Sequence, residues 1–491
     1  MVRFQRSLLA LAFGLALAAL LLAGCTLWQP APAPDPLAEY RPALRPDFTL
    51  EPAQLDALLR YSITVKVHPA AGAFTGTVDV IIPITGTAPW RELYFRLYPN
   101  LKQFGGSLQV GLVRVNGMTV NYGYAAESTA VRLTLPRPLE IGSRAQVRLT
   151  FSGKAPQRDP GYYTIFGLSE DVLSLTNFYP ILAGRRGDDW ALEVAHPQGD
   201  VGFHDAALYR VDVTAPVTQV IAATGVAVTR TVDADGWATA RYVLGPAREF
   251  TLLLSPRFQV DEADAYGARV RSYFLPEDAA AGRSALYDAV AALQVYSDQF
   301  GPYPYREMAV VEAPLTFHGM EFPGLNLIGS EDYRQHQQDL ETLVVHEVAH
   351  QWWYNQVGSD QTQNPWLDEG LAEFSMYFYY LGRHGVPAAE GLRRSRWEAP
   401  VGGAIERGSD APIGRPVADY KGNYETIIYA KGALFFATLR DELGEKAFQK
   451  LMRTYLERYR WRIASPADFQ ALAEEIAGRD LSELFGKWVE G

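Results

Sequence analysis

His346-Glu347-Val348-Ala349-His350 is the stretch that decides how the rest of the chain is interpreted. It lies within residues 339–357, where apolar residues recur at helical spacing and predict a helix. Residues four apart share one helical face, so both imidazoles can reach one metal ion while Glu347 lies beside them. The alternative is that these are ordinary helix residues without metal chemistry.

A second predicted helix, residues 366–381, supplies a third candidate ligand. Asn364 and Pro365 offer an N-cap and an N1 proline for it, and Glu369 lies 19 positions after His350. This spacing leaves room for a loop between the two helices. Two histidines and one glutamate with an open fourth position form a catalytic zinc arrangement. His346, His350 and Glu369 are therefore predicted to bind one zinc ion per chain, with Glu347 as general base.

Composition excludes several classes of protein. The chain has 491 residues, 48% of them hydrophobic, one cysteine and a net charge of −11. A chain of this kind is neither disordered nor stapled by disulfides, and so acidic a body is a poor phosphate binder, so no nucleic-acid partner is expected. Beyond Cys25 the chain has no thiol to offer a metal, which leaves His, Asp and Glu as ligands.

The N-terminus resembles a bacterial lipoprotein signal. Arg3 and Arg6 precede an apolar run over residues 8–23, and small residues stand directly before the only cysteine, Cys25. We expect residues 1–24 to be a signal peptide and Cys25 to carry a lipid, which would anchor the exported chain to the extracytoplasmic face of a bacterial membrane. An uncleaved signal anchor is the alternative, because the run is near transmembrane length.

Periodicity divides the remaining chain. Six prolines between residues 30 and 46 favour an extended tether over residues 25–48. Period-two alternation and the hairpin signals Asn116-Gly117 and Asp235-Gly236 predict a mostly antiparallel, β-sandwich-like domain over residues 49–258. Helical spacing with a short strand predicts an α+β domain over residues 259–491. The predicted strands are 62–67, 77–82, 93–98, 131–135, 146–151, 209–214, 242–254 and 308–312; the further predicted helices are 280–300, 429–443, 446–458 and 467–484.

HEVAHQWW at 346–353, followed by WLDEGLAEF at 366–374, resembles the gluzincin zinc aminopeptidases, the group that contains membrane alanyl aminopeptidase and the leukotriene-hydrolase aminopeptidases. GPYPY at 301–305, Gly319-Met320-Glu321 and YAKGA at 429–433 agree with this. The similarity runs from about Tyr61 to the C-terminus, and it implies a thermolysin-like catalytic domain.

The resemblance also implies roles for further residues. Tyr429 would donate a hydrogen bond to the tetrahedral oxyanion, as a phenol can without changing its charge. Glu321 would accept the free α-ammonium of a peptide substrate, in a substrate-binding strand with Gly319 and Met320. Asn177 is a guess for the contribution of the β domain to amine binding.

Other interpretations remain open at this stage. Glu373 fits either an outer-shell partner of a ligating histidine or a surface carboxylate. His318 and Phe322 depart from the family's Gly-x-Met-Glu-Asn motif, and the helical roof of larger members is not expected here, so a zinc endopeptidase is a rival. An inactive, peptide-binding surface lipoprotein is a second rival.

Overall fold

The computed structural model describes residues 35–316 and 318–491, of which residues 40–491 form one compact unit. The predicted signal peptide, residues 1–24, and Cys25 lie outside the described residues. Within the described ranges, no helix has the length and apolar character needed to cross a membrane.

The N-terminal half is built from strands. A short helix precedes them, α1 (Pro52–Ala57). The strands are β1 (Leu59–His68), β2 (Ala73–Pro83), β3 (Trp90–Arg96), β4 (Ser107–Val115), β5 (Met118–Thr119), β6 (Tyr122–Ala125), β7 (Ala130–Leu139), β8 (Arg144–Lys154), β9 (Gly167–Ser169), β10 (Val172–Leu175), β11 (Ile181–Leu182), β12 (Arg185–Arg186), β13 (Asp189–Trp190), β14 (Ala207–Pro216), β15 (Val220–Ala223), β16 (Val226–Val232), β17 (Trp237–Ala247) and β18 (Leu252–Ser255).

These strands form four sheets of the described part of the chain. An eight-stranded sheet has the order β16-β17-β14-β1-β2-β8-β4-β5, and all its neighbours are antiparallel except β1 and β14. Two four-stranded sheets, β15-β18-β10-β9 and β11-β3-β7-β6, complete the half together with the pair β12-β13. In β1, Ile63, Val65 and Val67 are buried and alternate with more exposed residues, which is the pattern of a sheet with one face in a core.

The two hairpin signals are confirmed, whereas one predicted strand is wrong in extent. Asn116 and Gly117 both have positive φ and join β4 to β5, as a two-residue type I′ turn requires. Asp235-Gly236 joins β16 to β17. The predicted strand 242–254 is divided, because β17 ends at Ala247 and β18, in another sheet, begins at Leu252.

The C-terminal half combines a mixed five-stranded sheet and a two-stranded parallel pair with helices. Its strands are β19 (Gln259–Ala265), β20 (Ala268–Phe274), β21 (Glu307–Ala313), β22 (Gly319–Phe322), β23 (Leu325–Gly329), β24 (Val357–Gly358) and β25 (Arg462–Ile463). Its α-helices are α2 (Ala279–Phe300), α3 (Ser330–Arg334), α4 (Gln337–Ala349), α5 (Glu369–His384), α6 (Val386–Leu392), α7 (Ala399–Glu406), α8 (Gly432–Leu443), α9 (Glu445–Tyr459), α10 (Pro466–Ala477) and α11 (Ser482–Phe485).

The five-stranded sheet and two helices position the site. The sheet order is β19-β20-β21-β23-β22, so β22 is an edge strand. Helix α4 packs against β22, α2 and α5. Helix α5 is buried on all sides from Glu369 to Tyr379, which is expected of a helix at the centre of a domain.

Three predicted helices end or begin elsewhere. The helix predicted over 339–357 stops at Ala349, because the chain turns sharply after His350 although apolar residues continue. Asn364 and Pro365 open a short 3₁₀ turn, and the side chain of Asp368 caps α5 by accepting from Glu369 N at 2.9 Å. The segment 467–484 is divided at Gly478, which has the left-handed conformation that ends helices.

The predicted tether, residues 25–48, is wrong for its C-terminal part. From Tyr40 onward the chain belongs to the compact unit, and Leu44 is fully buried. Arg45 N donates to Pro304 O at 3.0 Å, and Arg306 N donates to Ala43 O at 2.9 Å. The prolines at 42 and 46 therefore lie in a segment fixed along GPYPY rather than in a free stalk.

Candidate metal centre and substrate cavity

The predicted ligands meet at one point. His346 Nε2 lies 3.1 Å from His350 Nε2 and 3.1 Å from Glu369 Oε2, and His350 Nε2 lies 3.3 Å from the same carboxylate oxygen. All three side chains are buried. His346 in the last turn of α4, the C-capping His350 and the first residue of α5 therefore present two nitrogens and one oxygen to a common centre.

The outward-facing nitrogens explain why both Nε2 atoms face this centre. His350 Nδ1 lies 2.9 Å from Trp353 O, a position in which it donates its proton to the carbonyl. His346 Nδ1 lies 3.3 Å from Glu373 Oε2. A proton held on Nδ1 leaves the lone pair of Nε2 free for a metal ion.

Glu373 is buried behind His346 and is not a surface residue. It is 0% exposed, and Arg396 Nε and Trp397 Nε1 donate to its Oε1 at 2.5 and 2.8 Å. Burial would raise the pKa of Glu373, but Arg396 and His346 lower it to about 2. The carboxylate is therefore fixed and ionised behind His346.

The pKa values of the candidate ligands show that the site favours positive charge. Burial would lower the pKa of His346, but its contacts with Glu369 and Glu373 raise it to about 9. Burial would likewise raise the pKa of Glu369, yet His350 and His346 hold it well below its usual range. Positive charge is thus favoured here despite burial, and a His, His, Glu donor set fits Zn²⁺. The residues present therefore fit the predicted metal.

Glu347 lies beside this centre and owes its place to Gly319. A Cβ at Gly319 would come within 2.0 Å of Glu347 Oε1. Among the described residues, Glu347 Oε2 is buried without a hydrogen-bond partner. Burial raises the pKa of Glu347 to about 8. The missing side chain of Gly319 therefore makes room for the Glu347 carboxylate.

Glu321 projects from the edge strand β22 toward the same centre. Glu321, Glu347 and His350 have ligand atoms within 4.8 Å of one another, as do His346, His350 and Glu369. Gln361 Nε2 donates to Glu321 Oε1 at 3.0 Å, and burial raises the pKa of Glu321. Met320 is buried next to it and also lines the cavity.

Tyr429 reaches the centre through a close helix contact. It lies in a π-helical turn, Thr426–Lys431, directly before α8, and a Cβ on Gly432 would lie 3.1 Å from Gly370 Cα. This close approach lets the Tyr429 hydroxyl donate to Glu369 Oε1 at 2.7 Å. Burial and Glu369 raise the pKa of Tyr429 well above its ordinary value, so the phenol keeps its proton.

A cavity of about 1160 Å³ contains these groups and is lined from both halves of the chain. Asn177, the guess from the sequence, lines it. Three further residues of the site were not predicted from the sequence: Asp200 and Tyr424 in the wall and Gln361 behind Glu321. Burial, together with Glu321 and Glu369, raises the pKa of Asp200 well above its usual range. No motif marks these three residues, because tertiary packing alone brings them to the site.

Comparison with known proteins gives concordant matches. Residues 284–488 match the peptidase family M1 domain. Aminopeptidase M1-A of Oryza sativa subsp. japonica is 25% identical over 460 residues, which are 88% of this chain and 50% of that protein. Glutamyl aminopeptidase of Homo sapiens is 30% identical over 165 residues, 32% of this chain and 17% of that protein. The chain therefore spans at most half the length of these relatives.

A solved structure shows the same fold. The M1 zinc metallopeptidase from Deinococcus radiodurans superposes with a TM-score of 0.66 at 22% sequence identity, covering 88% of this chain and 94% of that one. The matched segment 284–488 contains all three predicted ligands as well as Glu347 and Tyr429. Residues 284–488 therefore carry the similarity to peptidase family M1, in agreement with the gluzincin resemblance of the sequence.

Proposed function

We propose that this protein is a zinc-dependent aminopeptidase that removes N-terminal residues from peptides. The observation that carries the proposal is the convergence of His346 Nε2, His350 Nε2 and Glu369 Oε2 in a cavity that also holds Glu347, Glu321 and Tyr429. The aminopeptidase names of the relatives support it.

The proposed roles of zinc, Glu347 and Tyr429 follow from their positions in the cavity. Zinc at such a site supplies a Lewis acid that polarises a carbonyl and lowers the pKa of water. Glu347 takes the proton of the attacking water through Oε2, which has no other partner among the described residues. Tyr429, which stays protonated, donates to the oxyanion as negative charge develops there.

Glu321 is proposed to bind the α-ammonium of the substrate. Its carboxylate is buried, is held by Gln361 and lies close to His350 and Glu347. A partly desolvated pair between ammonium and carboxylate contributes on the order of 2 to 4 kcal/mol. That contribution corresponds to roughly 30- to 1,000-fold preference for a free N-terminus.

We expect kcat/KM to be roughly 30- to 1,000-fold higher for a peptide with a free N-terminus than for the same peptide N-acetylated. Glu321→Gln should lose rate only on the free-amine peptide, because the acetylated one has no ammonium to bind. Glu425→Gln is the matched control, since Glu425 lines the cavity but is exposed; it should change both substrates alike. Equal rates on both peptides in the parent enzyme would favour the endopeptidase alternative, and absence of turnover with zinc bound would favour the peptide-binding alternative.

We also propose that the chain is exported and lipid-anchored through Cys25. The support is the order of Arg3 and Arg6, the apolar residues 8–23 and the single cysteine. In a bacterial host fed labelled palmitate, the parent chain should carry label in the membrane fraction and Cys25→Ser should lose it. Membrane retention of an unlabelled chain with an intact N-terminus would instead support the signal anchor.

A further inference from the structure

The turn that follows the metal-binding helix contains a strained residue. Tyr354 lies four positions after His350 and has φ of +144°. Glycine adopts this backbone region readily, whereas a residue with a side chain persists there only when its surroundings hold it. Its ring is buried. Something in the fold must therefore keep this turn in place.

Arg248 holds the backbone of the turn. It lies between β17 and β18 in the N-terminal half and is 1% exposed. Its Nε donates to Tyr354 O and Asn355 O at 3.1 and 3.2 Å, and its Nη2 donates to Gln356 O at 3.4 Å. Three consecutive carbonyls of the turn thus share one buried guanidinium, whose planar fork fixes their relative positions.

Glu249, the next residue, holds the side chain of the same tyrosine. The Tyr354 hydroxyl lies 2.6 Å from both Glu249 Oε1 and Glu249 Oε2. Glu249 is buried, in the short connection between β17 and β18. Adjacent residues of the N-terminal half therefore restrain both the main chain and the side chain of the strained residue.

The restrained turn orients His350, a candidate metal ligand. His350 Nδ1 donates to Trp353 O, the carbonyl directly before Tyr354, at 2.9 Å. Asn355 N donates to His350 O at 3.0 Å. A change in the backbone dihedral angles of Tyr354 would move both Trp353 O and Asn355 N. The direction of the His350 ring therefore depends on the conformation at residue 354.

We propose that Arg248 and Glu249 are positioning residues for the His350 ligand, acting through the strained Tyr354 turn. This inference rests on the proposed zinc site. According to this proposal the β-rich half influences metal binding, although none of the candidate ligands lies in it. The group that His350 Nδ1 bonds directly is Trp353 O, and displacing such a partner typically weakens metal affinity by 10- to 100-fold.

The test compares zinc dissociation constants of the full chain, measured by competition with a chromophoric chelator. Tyr354→Phe removes the hydroxyl but keeps the strained backbone, so zinc binding should weaken at least about 10-fold. Tyr354→Gly removes more atoms but also removes the strain, so its zinc affinity should stay within about threefold of the parent. A role in packing alone predicts the opposite order, because glycine leaves the larger hole.

The matched control is Tyr303→Phe, which also deletes a buried tyrosine hydroxyl, in this case one that donates to Glu307 O at 3.0 Å. Its zinc affinity should equal that of the parent. Zinc binding that is weaker in Tyr354→Gly than in Tyr354→Phe, or unchanged in both, would overturn the inference. A parent chain that binds no zinc would instead overturn the proposed metal site itself, so the two failures are distinguishable.

Discussion

Glu347→Gln should retain about one zinc per chain yet lose roughly 10²- to 10⁴-fold in kcat, because that is the range a general base contributes. The amide has nearly the same shape as the carboxylate and fits the space that Gly319 leaves. It cannot accept the proton of the attacking water. Glu347 is outside the His346, His350 and Glu369 set, so metal content should not fall.

The comparison variant is His350→Ala, which removes one of the three ligand atoms. It should lose both zinc and activity. Metal analysis and single-turnover kinetics on the same preparations separate the two effects. Turnover at the parental rate in Glu347→Gln would eliminate the proposed general base.

Tyr429→Phe is the second variant for which we expect a large effect. It removes one hydrogen bond that is proposed to form mainly in the transition state, so kcat should fall roughly 10²- to 10³-fold with little change in KM. Zinc content should hold, because Glu369 Oε2 faces the histidines while Tyr429 contacts Oε1.

Tyr424→Phe is the control for this variant. The Tyr424 ring centroid lies 6.0 Å from that of Tyr429 in the same cavity, and among the described residues its hydroxyl has no hydrogen-bond partner. Deleting that hydroxyl should change kcat by less than about fivefold. If KM rises in Tyr429→Phe while kcat is unchanged, Tyr429 binds substrate in the ground state and the oxyanion role is wrong.

Features encoded by local spacing could be predicted from the sequence. The period of 3.6 residues placed His346 and His350 on one helical face, and they do meet at their Nε2 atoms. The helix predicted over 280–300 occurs as Ala279–Phe300. Such features depend on residues within one or two turns of each other, so the chain carries their whole signal locally.

Features that depend on distant segments could not be predicted. The apolar spacing suggested a helix through Val357, but Trp352 and Trp353 are buried by α2 and α9 rather than by continuing a helix. Asp200 and Gln361 likewise reach the site through loops. Their residue types are common, and only the packed fold distinguishes them from solvent-facing polar residues.

The side chain of Arg248 determines how the chain can be divided for engineering. Besides the turn after the metal helix, it donates to His204 O at 3.2 Å and to Arg462 O at 2.8 Å. A fragment that begins at residue 259 would keep every proposed ligand but would lose the guanidinium that holds the three carbonyls of the turn and Arg462 O. The C-terminal half therefore depends on the N-terminal half for part of its structure. A chimera between relatives should exchange the strands around Arg248 together with helix α4.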